Sequence, residues 1–335
     1  MFTKLDFLAI GDVVTDAFIR IKDAHINCDL NHEDCQLCLN FGDKVPYEFV
    51  EIVRAVGNSA NAAVAASRLG LTSALLSDIG DDLNGKECLA ELKKNKVVRD
   101  FITIHKNMET NYHYVLWYGN DRTILVKHQE YPYKVPAIQF PKWVYLSSLA
   151  ENSLSYHEEI LARLKESSET KLVFQPGTFQ MKMGVPKLKG LYEQSYLFFC
   201  NVNEARRILK QPKDKKVPIG ELLKKVRGLG PEIVVITDGP KGAYVYDGNE
   251  AWFMPPYPDP KPPYSRTGAG DAFASTFTSA LILGKTIKEA LSWAPINSMS
   301  VVQEIGAQKG LLSREKLLEY LASAPADYKP RKLSA

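Results

Sequence analysis

Thr267-Gly268-Ala269-Gly270-Asp271-Ala272-Phe273, with a run of small residues behind it, is the stretch on which the reading of this chain turns. Two glycines let the backbone turn so that successive N–H groups point at one spot. A helix starting there adds the positive end of its dipole. Together these make an anion hole. Asp271 falls on the first helical turn, next to whatever anion is bound, where it can take a proton from an attacking hydroxyl. Anion hole plus adjacent carboxylate is the minimum equipment for phosphoryl transfer to an alcohol. The same letters also fit a Gly-rich turn in which Asp271 only supports its own helix start.

Outward from that motif, strands and helices alternate. Short apolar runs bounded by polar or turn residues predict buried strands at 7–10, 74–79, 143–149, 172–174, 196–200 and 233–237. Helical periodicity covers 59–69, 83–95, 155–167, 203–210, 219–229, 271–283, 287–305 (where Pro295 is a potential break) and 314–322. Such alternation predicts an α/β domain with a mostly parallel sheet covered on both faces. Two stretches do not fit it, 17–53 and 111–128; in the second, Gly119-Asn120-Asp121 signals a hairpin. They predict a small antiparallel sheet inserted into the domain, serving as a lid or only packing. Six prolines in 255–263 make a stiff connector. The polar tail 326–335 is expected to fray.

The chain has 335 residues, a formal net charge of +3, 45% hydrophobic and 24% charged residues, which argues against disorder. So small an excess of positive charge gives no reason to expect nucleic acid or a membrane surface as partner. No apolar run has the length of a membrane span and the start lacks a signal-peptide shape, so a cytoplasmic protein is expected.

Three further motifs carry weaker signals. Gly57-Asn58-Ser59-Ala60-Asn61 opens a helix on which Asn58 and Asn61 share a face, which suits a polyol; a cap plus a surface Asn reads the same way. Asn201-Val202-Asn203-Glu204 follows a strand, where Asn and Glu can organise water around Mg²⁺ or simply cap a helix. Thr237 leads into Asp238-Gly239-Pro240-Lys241-Gly242, a turn able to lie over a nucleotide or merely close a strand. Separately, Cys28, His32, Cys35 and Cys38 lie within eleven residues, a spacing open to Zn²⁺, free thiols or a redox-sensitive pair.

In order and spacing these elements resemble the ribokinase-like (PfkB) family of carbohydrate kinases, from about Leu5 to Ala322. TGAGDAF is similar to the family's C-terminal signature, 57–70 to its N-terminal one, and Gly80-Asp81-Asp82-Leu83-Asn84-Gly85 to the turn that follows it. Asn201–Glu204 fits its Asn-x-x-Glu motif, and Gly306-Ala307, near Asn297, its closing segment. The resemblance implies a ribokinase-like three-layer α/β/α domain over 1–325 with a small β lid. It implies ATP-dependent transfer of the γ-phosphate to a hydroxymethyl group of a sugar. Asp271 would be the base, and Gly268, Ala269 and Gly270 would donate the anion hole. Asn201 and Glu204 would hold Mg²⁺, largely through water. Thr237, Gly239, Gly242 and Asn297 would line the nucleotide, and Asp16, Gly57, Asn58 and Asn61 the sugar.

Three departures stand out. Val56 occupies the first position of a motif that usually begins Gly-Gly. Asn58 stands where several sugar kinases carry Lys. Ser265-Arg266-Thr267 replaces the Asp-Thr-Thr of many members. Arg266 is therefore expected either to stand in for the monovalent cation those members use, leaving turnover nearly independent of K⁺, or to sit exposed on its loop. A nucleoside acceptor, with lid aromatics Tyr112, Tyr114, Trp117 and Tyr118 against a base, is the alternative within the class. A catalytically idle sugar- or nucleotide-binding sensor is the alternative outside it. A homodimer through the lid is the expected assembly.

Overall fold

A computed structural model describes residues 4–28, 35–119, 121–212 and 217–333. β1 (Phe7–Ile10) leads into the long β2 (Val14–Ile21), a pair β3 (His25–Cys28) and β4 (Cys35–Cys38), and β5 (Tyr47–Val56). Next come α1 (Asn58–Arg68), β6 (Ser73–Gly80), α2 (Leu83–Lys94), β7 (Ile102–His105), β8 (Tyr112–Tyr118) and β9 (Asp121–Leu125). β10 (Trp143–Leu146), α3 (Leu154–Lys165), β11 (Lys171–Phe174), α4 (Thr178–Met183), α5 (Val185–Gln194) and β12 (Ser195–Asn201) continue the alternation. α6 (Val202–Ile208), α7 (Ile219–Arg227), β13 (Ile233–Thr237), β14 (Ala243–Tyr246) and β15 (Ala251–Met254) precede α8 (Ala269–Ile282), α9 (Ile287–Val301), α10 (Arg314–Ala322) and β16 (Arg331–Lys332).

The main sheet runs β16-β15-β14-β13-β12-β11-β10-β1-β6-β7. Its strands are parallel from β7 to β13 and antiparallel from β14 on. The parallel strands read as continuous apolar runs because both faces are covered. Phe7 and Ala9 face one core with α1, α8 and α9, while Leu8 and Ile10 face a second core with α3, α5 and α7. This is the expected three-layer α/β/α architecture.

The second sheet, β5-β2-β8-β9, is the small inserted one. It is not wholly antiparallel as expected: β2 and β8 pair in parallel, Asp16 opposite His113. The crossover through β6, α2 and β7 returns β8 in the direction of β2, which no hairpin rule inside either stretch reports. The tail also departs from expectation. β16 adds to the sheet edge beside β15, and Tyr328 is buried, donating to the Ser292 carbonyl at 2.6 Å. Pro295 sits inside α9 without breaking it.

Cys28 and Cys35 are joined by a disulfide across β3 and β4, leaving Cys38 as a free thiol. Two sulfurs bonded to each other cannot serve as thiolate ligands, so the Zn²⁺ expectation for Cys28, His32, Cys35 and Cys38 does not hold. His32 lies outside the described residues. Among the described residues no helix is long and apolar enough to cross a membrane.

Candidate active site

Gly268 caps α8 in the left-handed region (φ 81°), where a Cβ would collide with Ala307. The first α8 bond runs from the Ala272 N–H to the Gly268 carbonyl, so the N–H groups of Ala269, Gly270 and Asp271 have no intrahelical acceptor. Nothing lies within 4 Å of a Cβ built on Gly270, so this helix end opens onto free space. The ten consecutive buried residues that follow are mostly Ala, Ser and Thr, which let α8 pack closely between α1 and α9. That packing fixes where Asp271 stands.

Asp271 is 8% exposed, and three amides hold its carboxylate. Asn58 donates to Oδ1 at 2.7 Å, Gln175 to Oδ1 at 3.2 Å and Asn61 to Oδ2 at 2.8 Å. Burial pushes this carboxyl above the usual Asp range; the hydrogen bonds from Asn61, Asn58 and Gln175, and the charge of Arg122, work against that rise. Asn58 and Asn61, expected to read the acceptor, therefore contact the carboxylate of Asp271 itself. Gln308 in turn donates to Asn61 Oδ1 at 3.0 Å. Gln175 was not singled out by the sequence; its one signal is its place just past a predicted strand, at the carboxyl edge where open sheets bind ligands. The Tyr145 hydroxyl donates to its Oε1.

Just before α1, Gly57 has a positive φ and a Cβ there would come within 2.6 Å of the Asp12 carbonyl, so the backbone demands glycine. Asp16 is buried, with Oδ1 at 3.4 Å from His113 Nδ1. That oxygen and His113 Nε2 are buried without hydrogen-bond partners, a state a polyol hydroxyl would relieve. Asp12 accepts from the Tyr133 hydroxyl at 2.8 Å and lies 2.8 Å from His128 Nδ1. Asp12, His113, His128 and Tyr133 carry no spacing signal, because β2 and β8 meet only in the tertiary structure.

At the end of β12, Asn201 and Glu204 form a reciprocal helix cap. The Glu204 N–H donates to Asn201 Oδ1 at 2.9 Å, and the Asn201 N–H to Glu204 Oε2 at 2.8 Å. Burial pushes the Glu204 carboxyl up, and the negative charge of Asp271 adds to the rise. A carboxylate that feels the charge of Asp271, with an Asn beside it, fits Mg²⁺ held largely through water. Thr237 ends β13 directly beside Asn201. Gly239 and Gly242 both have positive φ in the turn after it; space around Gly239 is open, whereas a Cβ on Gly242 would collide with the Met254 carbonyl.

Of two further expected residues, one is buried and the other exposed. Asn297 is fully buried, donating to Thr276 Oγ1 at 2.8 Å and accepting from the Leu312 N–H at 2.9 Å, so its amide ties α9 to α8 rather than lining a nucleotide. Arg266 is exposed on its loop, while its neighbour Ser265 is buried and accepts from the Thr267 N–H at 3.3 Å.

The pattern that describes pfkB family carbohydrate kinases matches residues 25–314. The chain belongs to the pfkB carbohydrate kinase family. It is 27% identical over 271 residues to the ribokinase of Bacillus subtilis, covering 79% of this chain and 87% of that one. It is 26% identical over 328 residues to the ATP-dependent 6-phosphofructokinase of Thermoanaerobacterium thermosaccharolyticum, covering 91% and 90%. Among solved structures, Arabidopsis thaliana ribokinase complexed with ribose and ATP superposes with a TM-score of 0.79 at 19% identity, over 95% of this chain and 99% of that chain. A nucleoside kinase from Methanocaldococcus jannaschii superposes at 0.74 and 17% identity, over 96% and 99%. The fold is ribokinase-like. Membership in the pfkB family makes this chain a phosphotransferase with an alcohol group as acceptor, a kinase of sugars or nucleosides.

Proposed function

We propose that this pfkB kinase transfers the γ-phosphate of ATP to a hydroxymethyl group of a sugar, with Asp271 as the base. The observation that carries the reading is the Asp271 carboxylate, held by three amides beside the open N-terminus of α8. Asp16, His113 and the amides of Asn58 and Asn61 hold the acceptor so that its hydroxymethyl oxygen meets Asp271. The O–H proton passes to Asp271 as that oxygen bonds to the γ-phosphorus. The bond to the bridging oxygen breaks, and its electron pair leaves on ADP. The N–H groups at Gly268, Ala269 and Gly270 stabilise the charge on the transferring group. Bound Mg²⁺ supplies positive charge against the phosphates; Asn201 and Glu204 would hold it. Thr237, Gly239 and Gly242 line the nucleotide.

Sugar is favoured over nucleoside by the state of the lid aromatics. Trp117 is buried against Phe49 and Tyr264, with Arg20 over its ring, so it is not free to stack on a base. Tyr112, Tyr114 and Tyr118 alternate with it along β8 and so belong to the opposite face. Ser265 brings no carboxylate to the loop before the anion hole, which supports turnover nearly independent of K⁺. Exposed Val50, Ile52, Tyr114 and Leu125 on the lid support the homodimer, which sedimentation would test.

A coupled assay of ADP release over a panel of sugars and nucleosides tests the function. Release with a sugar bearing a free hydroxymethyl group is expected. Release with nucleosides alone would move the acceptor class, and no release with any acceptor would overturn the reading.

A further inference from the structure

We propose that Gln175, fixed by the Tyr145 hydroxyl, positions the base so that Asp271 Oδ2 is the atom that takes the proton. The inference rests on Asp271 being the base, as proposed above. Gln175 is the first residue past β11, and its backbone N–H donates to the Leu146 carbonyl at the end of β10 at 3.0 Å. Both ends of its side chain are engaged. Nε2 donates to Asp271 Oδ1 at 3.2 Å, and Oε1 accepts from the Tyr145 hydroxyl. A carboxamide has a donor end and an acceptor end of nearly the same shape, so bulk does not choose which of them meets Asp271. Tyr145 makes that choice. It is fully buried in β10, with its ring 5.7 Å from that of Phe7. Burial first, and then the charge of Asp271, push its phenol well above the usual tyrosine range, so it stays protonated and donates. Oε1 therefore turns to Tyr145 and the amide N–H groups to Asp271.

Asn61 is fixed in the same way from the other side. The Ala55 carbonyl can only accept, so it holds the Gln308 amide by Nε2 at 2.7 Å. Gln308 Nε2 also donates to Asn61 Oδ1 at 3.0 Å, which leaves the Asn61 N–H groups to Asp271 Oδ2. An ionised carboxylate offers about two lone-pair sites on each oxygen. Asn58 and Gln175 take both on Oδ1. Among the described residues, Oδ2 accepts from Asn61 alone, so one of its sites stays open for the O–H of the acceptor. From α1 and the end of β11 only neutral amides meet this carboxylate. The charges that face it are Arg122 of β9, which holds its pKa down, and Glu204 of α6, which feels its charge in turn.

Gln175→Met in the full chain keeps the bulk and removes the donor. It should lower kcat by about ten- to a hundredfold, the scale of a misplaced reacting group, with both KM values within about threefold. The acid limb of kcat/KM should move to higher pH, because a hydrogen bond to the ionised form is lost. Gln175→Glu keeps the shape and the bond from Tyr145 but sets a second negative charge against Oδ1, so its limb should move further up. Tyr145→Phe frees the amide to turn, and should move the limb the same way by less. A second measurement needs no turnover. With ¹⁵N in the glutamine side chains, the amide resonance that Gln175→Met removes should shift with pH as Asp271 ionises, and should hold still in Asp271→Asn. The inference is overturned by a Gln175→Met enzyme with kcat within about threefold of the parent and an unmoved acid limb, by a loss confined to the acceptor KM, by a Gln175→Glu enzyme with parental turnover, or by an amide resonance indifferent to Asp271. Turnover lost in Asp271→Asn but kept in Gln175→Met defeats this inference alone. Turnover kept in Asp271→Asn defeats the base, and no turnover with any acceptor defeats the proposed function, while the amide resonance still decides whether Gln175 holds Asp271.

Discussion

As the proposed base, Asp271 sits where two demands conflict: a base must be ionised, and a buried carboxyl resists ionisation. Its raised pKa means that activity is lost as pH falls through a value above that of an exposed Asp, so the acid limb of kcat/KM should lie at correspondingly higher pH. Removing a hydrogen bond to the ionised form raises the pKa further, so Asn61→Ala should move that limb upward; an unmoved profile would separate Asn61 from the base. Asp271→Asn should cut kcat by about two to four decades with nucleotide binding nearly unchanged. Turnover within about threefold of the parent would remove Asp271 from its role. Linkage sets the accompanying sign. A carboxyl raised on folding opposes folding once ionised, above its folded pKa, so Asp271→Asn should not lower the melting temperature at neutral pH. At this scale the Gly-rich turn and its Asp were legible, because TGAGDAF is contiguous. The amides around it were only half legible, since Gln175 shares no motif with Asn58 or Asn61.

Elements carry the next two predictions. The lid is one mixed sheet joined to the domain through β2, which continues from β1 past Gly11, and its inner face bears Asp16 and His113. Acceptor binding should therefore slow hydrogen exchange in β8 and β9, and unchanged exchange at saturating acceptor would leave the sheet a packing role. The tail is the second case. Tyr328 meets Tyr257 edge-on at 4.9 Å and ties the chain to α9 through the Ser292 carbonyl, just before β16 pairs with β15. Tyr328→Ala should cost about 3 kcal/mol of stability in urea unfolding, the usual scale for a buried aromatic ring. A loss under about 1 kcal/mol would mean the tail frays as its composition suggested. Composition misled because a two-residue polar strand has no pattern of its own; the open edge of β15 supplies its partner.

Over the whole molecule, pH acts through buried groups of opposite sign. His157 in α3 is held neutral, its pKa lowered to about 4 chiefly by burial, with Nδ1 2.6 Å from the Ser153 carbonyl oxygen and Nε2 2.8 Å from Gln180. A depressed histidine contributes stability that is complete above the unfolded pKa of about 6.5 and lost as pH falls toward 4. Asp78, Glu204 and Asp271, all raised by burial, change stability the other way on acidification. The difference between parent and His157→Gln isolates the histidine: the melting-temperature gap should shrink from pH 7 to pH 4, and a constant gap would rule out a neutral His157.

The sequence by itself determined the three-layer class, the positions of most parallel strands and helices, and the Gly-rich turn with its Asp. Each is written in local periodicity or in contiguous residues, where hydrophobic pattern and backbone sterics act within a few positions. Tertiary structure alone decided what surrounds that Asp. Asn58 and Asn61 reach Asp271 across 213 and 210 residues, and His113 meets Asp16 only because a crossover lays β8 beside β2. Contacts of that separation form when the sheet and the α1–α8 packing are complete, so no spacing rule encodes them. The disulfide of Cys28 and Cys35 and the edge strand β16 follow the same logic: in each, a partner brought close by folding settles what the local letters left open.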